Sequence, residues 1–255
     1  MEIAGKKAVI CGGASGMAKA TAASLRKKGA DIAILDLPAS AGAEVAKELG
    51  GTFHEVDVMD DNQLESALGD AVSALGGLHI TINTAGGGIG KRTLSKDGPH
   101  PLADFRRIIE LNLISTFNLN RLAAWHMSTN EPEDEERGVL ISTASIAAFE
   151  GQIGQVAYTA AKAGIAGIAG MMLTMARDLG SLGIRAMAIA PSLFSTGLTE
   201  GIPDEFAGVL TKDAAFPKRM GRPEEYAKLA VAIVENPMLN GLCIRLDGGQ
   251  RFAPK

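Results

Sequence analysis

Apolar residues gather along the chain in short runs, each closed by a polar or glycine-rich break. They are KKAVIC (6–11), DIAILD (31–36), TFHEVDV (52–58), LHITIN (78–83), GVLIST (138–143), IRAMAIA (184–190) and LCIRLD (242–247). Between them lie longer stretches with helical patterning, among them an alanine-rich one after Gly16 and two long ones at 102–128 and 154–180. Strands that alternate with helices imply βαβ units and therefore a parallel sheet. Because the runs are apolar almost throughout, the strands read as covered on both faces. The pattern predicts an α/β chain with one doubly wound domain over 1–255, a seven-stranded parallel sheet carrying helices on both faces. No Pro/Ser-rich linker divides it. The acidic run EPEDEER (131–137) reads as a solvated loop before the fifth strand, with a partner-binding patch as the sharper alternative.

Composition narrows the class. With 255 residues and 46% hydrophobic content, the chain can bury a large core. A net charge of −4 with scattered lysines and arginines speaks against nucleic acid or an anionic membrane as partner. No apolar run approaches the length of a membrane span, and the start MEIAGKK lacks a signal-peptide core, so a soluble, cytoplasmic protein is expected. Cys11 and Cys243 sit in strand-like runs, as inert core thiols do. His54, His79, His100 and His126 show no ligand spacing, and no metal site is expected.

Candidate chemistry begins at KKAVICGGASGMAKA. A glycine turn between a first parallel strand and a helix lets backbone N–H groups approach a pyrophosphate; a purely structural turn is the competing reading. Gly12-x-x-x-Gly16-x-Ala18 departs from G-x-G-x-x-G. Asp36 ends the second strand about 20 residues beyond the turn, where a carboxylate can bond a ribose diol and repel a 2′-phosphate. That predicts NAD rather than NADP. Further on, Tyr158 and Lys162 are spaced i, i+4 and share a helix face. An ammonium near a phenol favours phenolate, which turns a poor base into a useful one. Ser145 follows the fifth strand at the carboxyl edge of the sheet, where its hydroxyl could bond a substrate oxygen. An exposed Tyr–Lys pair is the bland reading; the apolar strand before it and the turn upstream favour the catalytic one.

With these residues in place, the chain resembles the short-chain dehydrogenase/reductase family over essentially its whole length. Gly12, Ser15, Gly16, Met17 and Ala18 are similar to its cofactor turn, and Asn83-Thr84-Ala85-Gly86 to its Asn-Asn-Ala-Gly segment. Ser145, Tyr158, Lys162 and Asn112 resemble its catalytic set. The resemblance implies that Tyr158 exchanges the hydroxyl proton and that Ser145 holds the carbonyl oxygen. It also implies that Lys162 binds the nicotinamide ribose and lowers the tyrosine pKa, and that Asn112 anchors a water in the proton relay. Asp57 and Val58 would lie beside the adenine; Pro191, Phe194 and Thr196 would close over the nicotinamide amide. Cys11, Ala18, Thr84 and Ser192 depart from the family pattern, and the methyl of Ala18 is expected to push its helix slightly from the first strand.

Within the family, LDLPAS, ADFRRIIELNL, STASIAAFEGQIGQVAY, VENPMLNG and RLDGG are similar to the 3-hydroxyacyl-CoA dehydrogenase type 2 group. Oxidation of a 3-hydroxyacyl-CoA, short or 2-methyl-branched, is the activity this implies. A sister enzyme for a steroid, polyol or other secondary alcohol and a non-enzymatic NAD-binding scaffold are the alternatives. Gln155 is the candidate polar contact to substrate, and Lys91, Arg92 and Lys96 are candidates for CoA phosphates, with solvated loop charges as the equal alternative. A substrate lid is expected around 193–215. Apolar residues on more than one face of 102–128 and 154–180 predict cover by other subunits, in a homotetramer. The tandem Gly-Ile-Ala after Lys162 is three residues beyond the family's usual length. It predicts a bulge, kink or altered subunit contact between Gly164 and Met172, or else a straight helix with close subunit packing.

Overall fold

The computed structural model describes residues 1–166, 170–196, 208 and 211–254. The strands are β1 (Lys7–Cys11), β2 (Asp31–Asp36), β3 (Thr52–Glu55), β4 (Ile80–Asn83), β5 (Leu94–Ser95), β6 (Gly98–Pro99), β7 (Gly138–Thr143), β8 (Ile184–Pro191) and β9 (Cys243–Leu246). Seven of them form one parallel sheet in the order β3-β2-β1-β4-β7-β8-β9, and β5 and β6 pair as a small antiparallel hairpin outside it. Each sheet strand falls within one of the apolar runs, except that β8 continues one residue further, to Pro191. The third is shorter than its run: Asp57 and Val58 leave the sheet after Glu55. Strand order reverses beside β1, which opens a crevice at the carboxyl ends of β1 and β4 where α/β sheets take ligands.

Helices cover both faces, as the doubly apolar strands require. They are α1 (Gly16–Lys27), α2 (Gly42–Leu49), α3 (Asp61–Leu75), α4 (Leu102–Ile109), α5 (Ser115–Met127), α6 (Val156–Ala166), α7 (Met171–Leu179) and α8 (Pro223–Glu235). Successive strand residues point to opposite faces. Ala8 and Ile10 of β1 pack with α1, α2 and α8, whereas Val9 and Cys11 pack with α3, α5, α6 and α7. Ala18 is fully enclosed in the first of these cores. Burial pushes the Cys11 and Cys243 thiols up to about 12, consistent with inert core thiols.

Three expectations change. The stretch 102–128 is not one α-helix: a π turn, Glu110–Ile114, separates α4 from α5. The stretch 154–180 is also divided, within the Gly164–Met172 interval predicted to hold a bulge or kink: α6 is described to Ala166, and Gly170, with ψ of 173°, is extended before α7 begins. Val156–Leu182 is by length and composition apolar enough to cross a membrane, yet Ile165, Met172 and Met175 lie buried in the core against the sheet. Residues 167–169, the centre of the proposed bulge, lie outside the described residues. Finally, EPEDEER is not simply solvated. The Glu136 side chain is only 8% exposed and accepts from Arg185 Nε at 2.7 Å, and Glu133 is bonded by Lys6. The run looks solvated because its partners lie far away in sequence.

Candidate active site

The glycine turn is as open as its sequence suggests. Gly12 has φ of +75°, and a Cβ there would lie 2.8 Å from Thr84 Oγ1 and 2.9 Å from Ala85 N. Gly16 has φ of +54°, and its Cβ would come within 3.0 Å of Thr196. Both positions therefore need glycine, on backbone conformation and on space. Ser15 precedes α1 in extended conformation, its side chain makes no capping bond, and no acidic residue occupies the first turn. The helix N-terminus thus keeps donors and positive potential for an anion.

A cleft of about 350 Å³ opens over this turn. Gly12, Ser15, Gly16 and Met17 line one side, Asp36, Asp57 and Val58 the far end, and Thr84, Ala85, Gly86 and Thr196 the other side. Cys11, Leu35, Leu37, Val56 and Leu111 also line it; sequence reasoning passed over them as cofactor contacts because they read only as core or loop residues. Asp36 does more than face the cleft. Its Oδ2 accepts from Ala14 N at 2.9 Å and its Oδ1 from Leu37 N at 2.8 Å, so one carboxylate braces the turn. Thr84 has its own bonds at the end of β1, with Oγ1 3.4 Å from the carbonyls of Cys11 and Gly12. The residues present fit an adenine dinucleotide: a bare backbone cradle at a helix N-terminus, then an acidic residue at the end of β2.

Three expected cofactor residues lie elsewhere among the described residues. Asn83 is buried beneath the cleft, where Oδ1 accepts from Ala85 N at 3.0 Å and Nδ2 donates to Thr116 Oγ1 at 3.1 Å. It shapes the loop rather than facing the cleft. Pro191 is buried at the end of β8, and Phe194 packs in the core with its ring against Gly221. The lid expected around 193–215 falls largely on 197–207, 209 and 210, outside the described residues.

Next to this cleft, Ser145, Tyr158, Lys162 and Asn112 come together. Ser145 lies beside Tyr158, where its hydroxyl acts to lower the phenol, and its Oγ accepts from Ala147 N at 3.1 Å at the start of a short 3₁₀ turn. Lys162 Nζ is 5.7 Å from the centroid of the Tyr158 ring and donates to the Thr143 carbonyl at 2.8 Å. Asn112 stands in the π turn. Its Nδ2 donates to the carbonyls of Gly87 (2.8 Å) and Ile108 (2.9 Å), and its Oδ1 accepts from Gly87 N at 3.1 Å. A π turn offsets a helical ladder and is frequent at functional sites; here it brings Asn112 against the loop that follows β4.

The charge states differ from the expectation. Burial raises the Tyr158 phenol above the ordinary tyrosine range, with the Ser145 hydrogen bond opposing. Burial also lowers Lys162 to about 8. Lys162 adds no lowering to the Tyr158 shift, and its Nζ is held by the Thr143 carbonyl at 2.8 Å. Gln155 is engaged with Gln152, whose N donates to Gln155 Oε1 at 3.1 Å. Lys91 is paired with Asp104, while Arg92 and Lys96 are exposed loop cations that form no ion pair among the described residues.

The short chain dehydrogenase family model matches residues 6–206. A human protein, 3-hydroxyacyl-CoA dehydrogenase type-2, is 47% identical over 257 residues, covering 99% of this chain and 97% of its own. The crystal structure of 3-hydroxyacyl-CoA dehydrogenase type-2 from Mycobacterium avium superposes with a TM-score of 0.92 at 40% identity, covering 98% of each chain. A 7α-hydroxysteroid dehydrogenase complexed with NADH and 7-oxo glycochenodeoxycholic acid superposes at 0.85 and 30% identity, covering 98% of this chain and 95% of that one.

Proposed function

This chain belongs to the short chain dehydrogenase family, and from that premise we propose that it oxidises a 3-hydroxyacyl-CoA to the 3-ketoacyl-CoA with NAD. The observation that carries the reading is the convergence of Ser145, Tyr158 and Lys162 beside a dinucleotide cleft, joined to near-full-length identity with enzymes of that name. Nicotinamide, when bound, supplies a hydride acceptor and, in its oxidised form, a positive charge. Tyr158, as the phenolate that the charges of Lys162 and of an oxidised nicotinamide would favour, takes the hydroxyl proton as the carbon–oxygen double bond forms and the hydride leaves the carbon. Ser145 holds the same oxygen, which fixes the alcohol for transfer. Lys162 holds its charge close to the phenol, and Asn112 locks the loop after β4 beside it. Comparing kcat/KM for 3-hydroxyacyl-CoA thioesters with that for a 7-hydroxysteroid tests the substrate class. A higher value for the steroid would support the sister-enzyme reading.

Asp36 supports NAD over NADP. Asp36→Asn removes the charge but keeps only one acceptor oxygen for Ala14 N and Leu37 N, so NAD affinity reads the lost bracing while the NAD-to-NADP ratio reads the lost repulsion. The kcat/KM preference for NAD should narrow about tenfold. An unchanged ratio would place discrimination at another residue.

We also propose a homotetramer. Phe117 and Trp125 on α5 are 49% and 72% exposed, and with Met175, Leu179 and Leu182 they line a groove of about 520 Å³. Val156 on α6 and Leu173 on α7 are also exposed. A second copy of this chain would cover such faces by two-fold contacts. Light scattering should return the mass of four chains; a monomer mass at working concentration would contradict it.

A further inference from the structure

We propose that Thr143 and Tyr226 are positioning residues for the reaction: their paired hydroxyls fix the peptide carbonyl on which Lys162 rests. This inference rests on the reading that Lys162 and Tyr158 serve the oxidation. The reason lies at the end of the sheet. β4 stops at Asn83, opposite Ser142, while β7 runs one residue further, to Thr143 opposite Ile189. Ala144 N donates to Ile189 O of β8 at 2.8 Å, which turns the carbonyl of the same peptide toward the side where β4 has ended. Lys162, a residue 4% exposed, donates from Nζ to that carbonyl at 2.8 Å. No strand rung holds this carbonyl in place, so another contact must.

The side chain of Thr143 provides it. Oγ1 lies 2.6 Å from the Asn83 carbonyl and 2.7 Å from the Tyr226 hydroxyl. A carbonyl can only accept, so the threonine proton goes to Asn83 and Tyr226 must donate to Thr143. Tyr226 is fully buried on α8 among apolar residues of the face opposite α6 and α7. A phenol enclosed there needs a partner, and Thr143 supplies one. Burial pushes the Tyr226 phenol well above its usual range, so it keeps the proton it donates. The arrangement continues on the far side. Asn83 Nδ2 donates to Thr116 Oγ1 at 3.1 Å, and Thr116 Oγ1 donates to the Asn112 carbonyl at 2.6 Å. The ends of β4 and β7 thus tie α8 to both Lys162 and the π turn.

Two substitutions at Thr143 separate hydrogen bonding from packing. Valine keeps the shape and loses the hydroxyl; serine keeps the hydroxyl and loses a methyl. Measured at saturating NAD and hydroxyacyl substrate, Thr143→Val should lower kcat about tenfold with the substrate KM little changed, while Thr143→Ser retains kcat within about twofold. Tyr226→Phe should lower kcat about threefold, and adding it to Thr143→Val should cost little more, because it acts through Thr143. Thermal melts of all variants monitor folding. The Lys162 amine titration, followed by nitrogen NMR, reads the same geometry without turnover. The groups facing this amine are Tyr158 on its own helix, Asn112 and the Thr143 carbonyl, and burial alone accounts for its shift. Loss of a held acceptor disfavours the ammonium, so the midpoint should fall in Thr143→Val and stay in Thr143→Ser. The reverse order, valine tolerated and serine impaired, or unchanged kcat and midpoints throughout, would overturn the proposal. A wild-type protein that oxidises no hydroxyacyl-CoA, yet shows the expected midpoints, would count against the functional reading alone.

Discussion

Replacing Tyr158 by phenylalanine should cost at least about 100-fold in turnover and leave NAD affinity nearly unchanged, since the change removes the general base and little else. The ring keeps its setting: a Cβ at Gly88 would come within 3.2 Å of it, so the loop after β4 packs on the aromatic body rather than on the hydroxyl. The cleft walls formed by the glycine turn, Asp36 and Asp57 are untouched. Steady-state turnover beside an equilibrium titration with NAD separates the two quantities. Retention of most of the activity would mean that another group takes the proton.

Arg185→Leu should cost about 3–5 kcal/mol in unfolding free energy, the range for removing one partner of a buried ion pair. Arg185 on β8 is 5% exposed, and the Glu136 side chain it pairs with is 8% exposed. The same guanidinium donates to the carbonyls of Ile233 (2.8 Å), Val234 (2.9 Å) and Leu239 (2.8 Å), at and just beyond the C-terminal end of α8. A cation at that end also meets the negative pole of the helix. Leucine fills the space but leaves several carbonyls without their donor and the Glu136 carboxylate with only the Met1 amino group, 2.9 Å from Oε2. Arg185→Lys should recover only part of the loss, because one ammonium cannot reproduce a planar fork of donors. Urea unfolding reads the difference. A change below about 1 kcal/mol, the scale of an exposed pair, would show that the network is not closed to water.

These two residues mark how far the amino-acid sequence could be read. Tyr158 and Lys162 stood out because i, i+4 spacing is a local property, and the strands stood out because burial on both faces leaves an apolar run. The charge states of that same pair were not legible: burial depends on what the fold lays over the helix, and the carbonyl that holds Lys162 belongs to Thr143, in another element. Glu136 looked solvated for the same reason, since Arg185 lies 49 residues away. The π turn at Glu110–Ile114 has no compositional mark; Asn112 was identified by resemblance, but its bonds to Gly87 required coordinates. The hairpin of β5 and β6, two residues per strand, is too short to show a period. Tyr226 was missed because a tyrosine on an apolar helix face reads as core until its hydroxyl partner is seen. The signal available was the hydroxyl-rich end of GVLIST, just ahead of Ser145, where a buried donor would find acceptors.

The central claim is that Tyr158, Ser145 and Lys162 serve oxidation of a 3-hydroxyacyl-CoA with NAD. The most direct measurement follows NADH absorbance on mixing the protein with NAD and a short 3-hydroxyacyl-CoA, with the thioester product identified by mass. The account predicts one NADH formed for each 3-ketoacyl-CoA, and much slower turnover when NADP replaces NAD. Absence of NADH formation with every hydroxyacyl-CoA tried, from protein that binds NAD and is folded, would contradict it.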